Sequence, residues 1–338
     1  MRNHFFALCV TTTCLLQAAH AQQSVQFSQY VFDGLTINPA YAGYKGDPYL
    51  NTTFRDQWTG FTGAPKTAVV SFDALTNVSD DRMGLGGQLL YDQLGPQQNY
   101  SLTGSYSYRI PLAGDQPDDP HRLCLGIAGL LSQYSLNGST FQYEDPGDPL
   151  ITGTTVRTKF VPDAHFGVFY YTKRFYAGGS ILNLFSINGG RRIYYANGSA
   201  YSSLLEGTTM YLTAGGMLDL SDEVKFKPSI MIKEDFKGPT NSDFNVFFLF
   251  DEILWVGGSY RTSMKFWDKS NLQQNLQASD AASLMAEFYI NPQFRIGYSY
   301  DFTTSGLSNY QSGSHELSLG ITFKTKRFGQ YMATPRYF

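Results

Sequence analysis

The stretch NYSLTGSYSYRI, residues 99–110, alternates between polar and apolar side chains along its whole length. Its even positions, from Tyr100 to Ile110, are mostly aromatic or aliphatic, whereas its odd positions, from Asn99 to Arg109, are all polar. Successive side chains of a β-strand point to opposite faces, so the stretch predicts a strand with one apolar and one polar face.

The same period of two recurs along the chain. It is clear at 224–233, 294–302 and 316–323, and weaker at 49–57, 67–76, 83–93, 122–134, 162–172, 175–187, 208–220, 243–250, 253–264 and 281–290. Several stretches have the ~9–11 residues that a tilted membrane-spanning strand needs. Strands of a soluble β-sandwich, the alternative class, run only ~5–6 residues. About fourteen strands are therefore expected, many of them long enough to cross a membrane.

The connections between these strands alternate in length. The joins NVSDD, TKR, LSDE, FDE and NPQ are short, and between them lie long joins at 137–161, 188–207, 265–280 and 305–312. Outer-membrane barrels have short periplasmic turns and longer outer loops, which fits this order if both termini are periplasmic. LGPQQ (94–98) and AGDQPDDPH (113–121) depart from it. The sequence thus predicts an all-β fold, a transmembrane antiparallel outer-membrane β-barrel.

Composition agrees with export into a membrane and excludes one class of partner. Aromatic residues make up 16% of the chain, with 24 Tyr and 26 Phe. We expect those on the strands to face the membrane and smaller side chains to face the lumen. The 25 Lys and Arg against 28 Asp and Glu leave no basic excess, so a nucleic-acid partner is not expected.

The first residues resemble a secretory signal. Residues 1–21 have a basic start at Arg2, an apolar middle and the small-x-small ending Ala19-His20-Ala21, which predicts cleavage near Ala21. Two of the three cysteines lie in this segment, so the mature chain keeps only Cys124 and has no disulfide framework. We therefore predict a signal peptide at 1–21, an N-terminal segment at 22–48, a barrel at 49–325 and a periplasmic tail at 326–338.

The segment QFSQYVFDGLTINPAYAG, residues 26–43, fits neither a helical nor a strand period. A stretch that does not alternate is a poor lipid-facing strand. We expect it to plug the lumen, to line the periplasmic rim, or to lie against another protein.

The residue types do not predict an enzyme, a metal site or a cofactor site. The mature histidines, His121, His165 and His315, are scattered and lack zinc-ligand spacing. His315 and Glu316 are adjacent on a predicted strand, so they point to opposite faces and cannot serve one lumenal site. GLGGQ (84–88) has no Lys-Ser/Thr pair or following helix, so it is not a phosphate loop.

Several blocks resemble the PorP/SprF family of outer-membrane proteins of the type IX secretion and gliding machinery. They are QFSQYVFDGLTINPAYAG, FRDQWTGFTGAPKTAVVSFD (54–73), FKPSIMIK (226–233), LWVGGSYRT (254–262), FRIGYSYDFTTSGL (294–307), GSHELSLGITF (313–323) and TPRYF (334–338). They follow the family's order and span nearly the whole mature chain. Residues 111–210 carry little of the signature, and Thr334 replaces the usual serine.

The resemblance implies a non-enzymatic barrel of the outer membrane of a Gram-negative bacterium. Its expected partners are the periplasmic ring and motor components of the apparatus, and secreted cargo or adhesins with a C-terminal sorting domain, which it would help to export or anchor at the surface. The family motifs map onto three sets, expected to form a plug or docking surface: Gln29, Tyr30, Asn38, Pro39, Ala40, Tyr41 and Gly43; Arg55, Gln57, Trp58, Pro65 and Lys66; and Pro335, Arg336, Tyr337 and Phe338.

A porin-like channel for small solutes is the alternative function, since a barrel of this size can enclose an aqueous lumen. Alternation places Arg109, Arg261, Arg295 and Asp301 on polar faces, and they are the candidate lumenal residues of a constriction.

Overall fold

A computed structural model describes residues 25–76, 81–115, 119–140, 155–157, 160–186, 206–236, 238–266, 279–324 and 338. Its strands, in chain order, are β1 (Tyr49–Asp56), β2 (Lys66–Leu75), β3 (Met83–Leu94), β4 (Gln97–Pro111), β5 (Arg122–Asn137), β6 (Thr155–Arg157), β7 (Val161–Tyr171), β8 (Phe175–Leu182), β9 (Thr209–Gly216), β10 (Leu218–Asp219), β11 (Val224–Glu234), β12 (Thr240–Phe250), β13 (Leu254–Met264), β14 (Ser279–Tyr289), β15 (Phe294–Thr303) and β16 (Ser314–Thr322).

Fourteen of these strands close into an antiparallel barrel, as predicted. Sequence neighbours pair with each other, and the ring is completed by β16 with β1, where Tyr49 lies opposite Thr322 and Asp56 opposite His315. The two short strands are additions, because β6 pairs with the end of β5 and β10 extends the pairing of β9 with β11. Closure leaves no unpaired sheet edge for lipid to meet.

The two ends of the barrel differ in their connections. Long connections follow β5, β8, β13 and β15 at the end where β1 finishes, whereas β11 and β12 are joined there by a short turn. Outer loops of such barrels are the longer ones, so this is the outer end. The end that carries Tyr49 and Thr322 is then the periplasmic end.

Strand β4 shows how the two faces are used. Tyr100 and Leu102 are 51% and 52% exposed in the isolated barrel and face outward to the bilayer, whereas Ser105, Ser107 and Arg109 are buried on the inner face. The polar-inward alternation predicted from NYSLTGSYSYRI is therefore confirmed for this strand, and its polar side chains are removed from lipid.

Not all aromatic side chains on the strands face the membrane, so that expectation is wrong for one group. Phe169, Tyr171, Tyr176, Phe247 and Trp255 are buried on the inner face and belong to one apolar cluster inside the barrel. The inner wall must therefore meet apolar material rather than water.

The helices among the described residues are 3-10 turns of three or four residues. None of them is long and apolar enough to cross a membrane.

Candidate functional site

Residues 25–48, called here the lumenal segment, lie inside the barrel. They contain three 3-10 turns, Gln29–Val31, Gly34–Thr36 and Pro39–Tyr41. The segment starts near the outer end, where Gln26 donates to Asp243 of β12, and reaches the periplasmic end, where Tyr44 packs on Tyr171 of β7. Its apolar side chains, among them Tyr44, belong to the buried cluster inside the barrel.

An ion-pair cluster on the outer half of the wall receives the start of this segment. The Arg55 guanidinium contacts Asp301 at 2.6 Å and Glu316 at 2.9 Å, and all three side chains are almost fully buried. The Ser28 hydroxyl donates to Asp301 at 2.7 Å, and the backbone N–H groups of Ser28 and Gln29 donate to the two oxygens of Glu316 at 2.9 and 2.8 Å. The carboxylates thus satisfy both a cation and an irregular backbone, as buried charges require.

The His315–Glu316 pair is divided between the two faces. Glu316 faces the lumen in the Arg55 cluster, whereas the His315 ring lies on the outer face, 2.7 Å from the Tyr298 hydroxyl. The opposite directions expected for adjacent strand residues are observed.

A second cluster holds the middle of the segment. Arg295 pairs with Glu287 at 2.5 Å and donates to the Phe32 carbonyl at 3.3 Å and to Asn51 at 3.2 Å. Its guanidinium also lies 5.0 Å from the centre of the Tyr49 ring, a cation–π distance. Arg295 therefore cross-links two strands and the lumenal segment.

Asp33 extends this polar network to the first hairpin. Its carboxylate accepts from the Asn51 amide at 2.9 Å and from the Ser71 hydroxyl at 2.6 Å. Arg109 is buried 99% on the inner face of β4, and Arg261 forms a two-point pair with Asp243 at 3.0 Å for each contact. The candidate constriction residues Arg261, Arg295 and Asp301 are thus engaged in ion pairs on the inner face.

The NPAYAG part of the segment lies against glycines of the wall. A methyl group on Gly84 would come within 2.0 Å of the Ala42 carbonyl oxygen, on Gly126 within 2.1 Å of the Ala40 nitrogen, and on Gly167 within 2.1 Å of the Asn38 side-chain oxygen. Glycine on β3, β5 and β7 allows the two backbones to approach this closely. The glycine-rich run GLGGQ therefore serves packing.

Local chemistry shapes NPAYAG itself. The Asn38 side chain accepts from the Ala40 N–H at 2.9 Å, which caps the Pro39–Tyr41 turn, and it donates to the Val168 carbonyl at 3.0 Å. Gly43 has φ +71°, a value that favours glycine, and its N–H donates to Asp73 at 2.7 Å. The motif residues are thus placed by both turn geometry and wall contacts.

Aromatic rings close the periplasmic end of the lumen, here called the periplasmic mouth. Tyr44 packs edge-on against Phe169 and Tyr171 at ring distances of 5.6 and 4.9 Å. Phe338, the last residue, is 4% exposed and its ring lies 4.7 Å from that of Tyr176. The end of the expected periplasmic tail is therefore inside the mouth, whereas Pro335, Arg336 and Tyr337 lie outside the described residues.

A cavity of about 410 Å³, called here the outer cavity, remains between the start of the lumenal segment and the outer end of the wall. Its described lining is Val25, Gln26, Arg55, Gln57, Trp58, Pro65, Thr67, Asp92, Leu94, Gln97, Gln98, Asn99, Tyr134, Ser135, Glu206, Lys233, Arg261, Ala281, Asp301, Thr303 and Ser314. Four motif residues of the first hairpin are among them. Lys66 is not, and its half-exposed amine lies 3.9 Å from Asp56.

Glu206, between β8 and β9, is a carboxyl of the cavity lining. Burial and the nearby charge of Asp92 raise the pKa of the Glu206 carboxyl to about 7. Its oxygen accepts from the Asn99 side-chain N–H at 3.1 Å.

Sequence reasoning considered the glycines of GLGGQ on β3, but it did not single out Gly126, Gly167, Asp92 or Glu206. The glycines could have been found from their inward parity on adjacent strands, but Glu206 lies in a connection without a repeating pattern. Among the described residues no group of three or more His, Cys, Asp or Glu side chains is placed to hold a metal ion.

Comparison with known proteins completes the picture. Solved barrels are similar at low identity: the toluene transporter TbuX of Ralstonia pickettii (8% identity, 88% of this chain and 94% of that one, TM-score 0.48), the outer membrane protein Omp33 of Acinetobacter baumannii (8%, 83% and 100%, 0.42) and the CymD monoaromatic hydrocarbon channel (10%, 88% and 93%, 0.45). A search of curated protein sequences gave no match.

The family profile described as "Type IX secretion system membrane protein PorP/SprF" matches residues 19–321. The match runs through the lumenal segment and nearly all of the barrel, in agreement with the resemblance found in the motifs. The chain therefore belongs to the PorP/SprF family of type IX secretion system membrane proteins, and it has the fold of an outer-membrane β-barrel.

Proposed function

We propose that this protein is a non-enzymatic component of the type IX secretion and gliding machinery that assists export or surface anchoring of cargo with a C-terminal sorting domain. The observation that carries the proposal is the use of the lumen. Motif residues of the family lie in a segment that is bonded to the wall through buried carboxylates and arginines, so the described interior is built to hold its own chain. We therefore expect partners to bind at the two ends of the barrel.

The two ends suit different partners. At the periplasmic mouth, the lumenal segment and Phe338 meet, and this is where we place docking of the periplasmic ring or motor components. At the outer end, the outer cavity faces exported cargo. The same proposal includes export of the chain by a signal peptide cleaved near Ala21, within residues that lie outside the described ranges.

Complementation of a gene deletion tests the proposal. The reporter is a fluorescent protein fused to a C-terminal sorting domain of a secreted protein from the same cell, and its surface display is measured by protease accessibility. We expect the reporter to remain in the periplasm of the deletion strain and to reach the surface when the wild-type gene is restored. Normal display in the deletion strain would exclude the proposed role.

Removal of residues 24–43 then tests docking through the lumenal segment. We expect reporter display to fall while barrel assembly, measured by the heat-dependent gel shift of the outer-membrane fraction, is retained. Normal display with the segment removed would exclude docking through it.

A solute channel is the second candidate function, and the outer cavity of about 410 Å³ favours it. Conduction would need displacement of the lumenal segment. The wall residues Arg55, Arg295 and Glu316 hold this segment in the lumen through hydrogen bonds, including one to the Gln29 N–H. We expect purified wild-type protein to show no steady current in planar bilayers. A steady ion current would favour the porin-like function instead.

A further inference from the structure

The charges around the outer cavity do not balance. Three cations, Arg55, Lys233 and Arg261, line it. Arg55 is held by two carboxylates, Asp301 and Glu316, and Arg261 is held by Asp243. Two further carboxylates, Asp92 and Glu206, also line the cavity. Among the residues that the structure describes, five carboxylates thus meet three cations, which leaves an excess of two negative charges when all are ionised.

Of these five carboxylates, Asp92 and Glu206 have no ion pair among the described residues. Asp92 accepts from the Thr67 hydroxyl at 2.6 Å, and Glu206 accepts from the Asn99 amide at 3.1 Å. Asp92 and Asn99 are direct cross-strand partners on β3 and β4, so the two carboxylates and the amide form one continuous patch. Lys233, which lines the same cavity, donates to Gln26 at 3.4 Å.

The patch also contains an unused acceptor. Asn99 is 7% exposed, and its side-chain oxygen has no hydrogen-bond partner in the described part of the chain. A buried polar atom left without a partner is costly, and a donor brought by a ligand would recover that cost. This acceptor, beside two carboxylates, calls for a ligand rich in N–H groups.

The neutral part of the lining fits a polypeptide backbone. Gln57 and Gln97 each carry a carboxamide, which has both donors and an acceptor for peptide groups. Trp58 and Leu94 supply apolar surface beside them. A volume of about 410 Å³ lies within the range of roughly 300–1,000 Å³ for ligand pockets.

This wall is held in place before any ligand arrives. Trp58 has φ +56°, a left-handed conformation that is uncommon for a non-glycine residue, and its N–H donates to Ser314 at 3.1 Å. The next residue, Thr59, exchanges backbone hydrogen bonds of 2.8 Å with Gly313 and Ser312 of the neighbouring outer loop. Strained residues that surrounding contacts keep in place are common at binding sites.

We propose that the outer cavity binds a lysine or arginine side chain of an extended polypeptide segment, whose positive charge is received by Asp92 and Glu206. The Asn99 oxygen accepts an N–H of the same basic group, and the glutamines pair with the backbone on either side. The proposal rests on the proposed function, in which the occupant is a segment of exported cargo at the cell surface.

Calorimetric titration of the purified full-length barrel in detergent tests the site. The probes are the blocked tripeptides acetyl-Gly-Lys-Gly-amide and acetyl-Gly-Gln-Gly-amide and the free diamine cadaverine, at pH 8 and low salt. We expect the lysine peptide to bind at least about tenfold more tightly than the glutamine peptide, since a charge-assisted hydrogen bond contributes about 1.5–3 kcal/mol. Equal affinity of the two peptides would overturn the proposal.

The double variant Asp92→Asn with Glu206→Gln should lose that preference, with at least about a tenfold drop in affinity for the lysine peptide. Asp219→Asn is the matched control, because Asp219 is an exposed carboxylate at the periplasmic end, 3.5 Å from Arg174. Unchanged affinity in the double variant would overturn the site. Cadaverine binding as tightly as the lysine peptide would overturn the polypeptide occupant and indicate a small-amine site.

The reporter strain separates this proposal from the proposed function. The double variant should display less reporter than the wild-type gene while showing the same heat-dependent gel shift. Full display by the double variant would overturn the cavity's role and leave the proposed function standing. Failure of the wild-type gene to affect display would overturn the proposed function itself.

Discussion

The two halves of the lumen are built from different chemistry. The periplasmic half is packed with rings, among them Tyr44, Phe169, Tyr176 and Phe338, and with the NPAYAG turn against wall glycines. The outer half holds the Arg55 ion-pair cluster and, above it, the outer cavity. Apolar packing seals the periplasmic half. The outer half combines the fixed Arg55 ion-pair cluster, which is the polar floor of the cavity, with space for a ligand.

The two halves therefore have different expected roles: the packed half stabilises the fold, and the outer half binds a partner. A well-packed cluster contributes stability and leaves little room for a partner. A cavity with an excess of carboxylates and an unpaired acceptor does not maximise stability, because such groups are costly without partners. The comparison therefore predicts that changes to the Arg55 cluster and to the periplasmic half affect folding, whereas changes to the cavity wall affect binding and the pH dependence of stability.

Removal of the Arg55 side chain should have the largest effect. Arg55→Ala leaves Asp301 and Glu316 buried without their cation, and breaking a buried pair in this way costs about 3–5 kcal/mol. The free energy of unfolding is measured by guanidinium titration of the barrel in detergent. Arg174→Ala, which removes an exposed pair with Asp219, is the control and should cost less than about 1 kcal/mol.

A second change tests the cause of the Arg55 effect. Adding Glu316→Gln to Arg55→Ala removes one of the two orphaned charges, so the double variant should recover part of the lost stability. If the two losses simply add, the cluster does not stabilise the floor through charge.

Gly126→Ala should have the next largest effect, and it acts where the lumenal segment meets the wall. The added methyl group would lie 2.1 Å from the Ala40 nitrogen, and overpacking of this kind costs about 1–3 kcal/mol. We expect faster tryptic cleavage after Lys45 in the assembled barrel, because the added methyl group displaces the lumenal segment from the wall. Gly129→Ala, on the same strand with no atom within 4 Å, should behave as wild type. Equal cleavage of both variants would show that the close approach is not required.

The strands could be predicted from sequence because a membrane imposes a simple rule. Lipid requires apolar side chains on one face and the lumen permits polar ones on the other, so a local period of two was enough to locate all fourteen strands. Boundaries were less certain: the stretch predicted at 175–187 is a strand only to Leu182, followed by a 3-10 turn at Leu184–Ser186.

The lumen could not be predicted in the same way, because its chemistry depends on contacts distant in sequence. Phe169, Tyr170 and Tyr171 are consecutive aromatic residues, and only the structure shows that Phe169 and Tyr171 face inward and pack on Tyr44 of the lumenal segment. Ion pairs such as Arg55–Asp301 join residues 246 positions apart. The motif placed Gln29 and Asn38 in a plug or docking segment, but not their individual partners.

Phe338→Ala tests the seal at the periplasmic mouth. It removes the ring contact with Tyr176 at 4.7 Å and a longer one with Tyr44 at 6.5 Å, so we expect a loss of stability of at least about 1 kcal/mol, the value of one aromatic pair beyond the buried area itself. Hydrogen exchange at residues 41–44 should become faster. Phe323→Ala removes a ring that is 49% exposed on the outside and should leave those exchange rates unchanged. Wild-type exchange in both variants would mean that the chain end does not contribute to the seal.

The smallest expected effect is a pH dependence at the outer cavity. Burial and Asp92 raise the pKa of Glu206 to about 7 in the folded protein, against 4.5 for the ordinary value, so between these pH values the folded state binds the proton more tightly. Stability from this group is therefore present below about pH 4.5 and is lost as the pH rises through 7. Glu206→Gln should flatten that part of the melting-temperature profile, whereas Glu223→Gln, at an exposed site in a periplasmic turn, should not. An unchanged profile in Glu206→Gln would mean that the Glu206 carboxyl is solvated. It would then not count as one of the two carboxylates that distinguish the outer cavity from the periplasmic half.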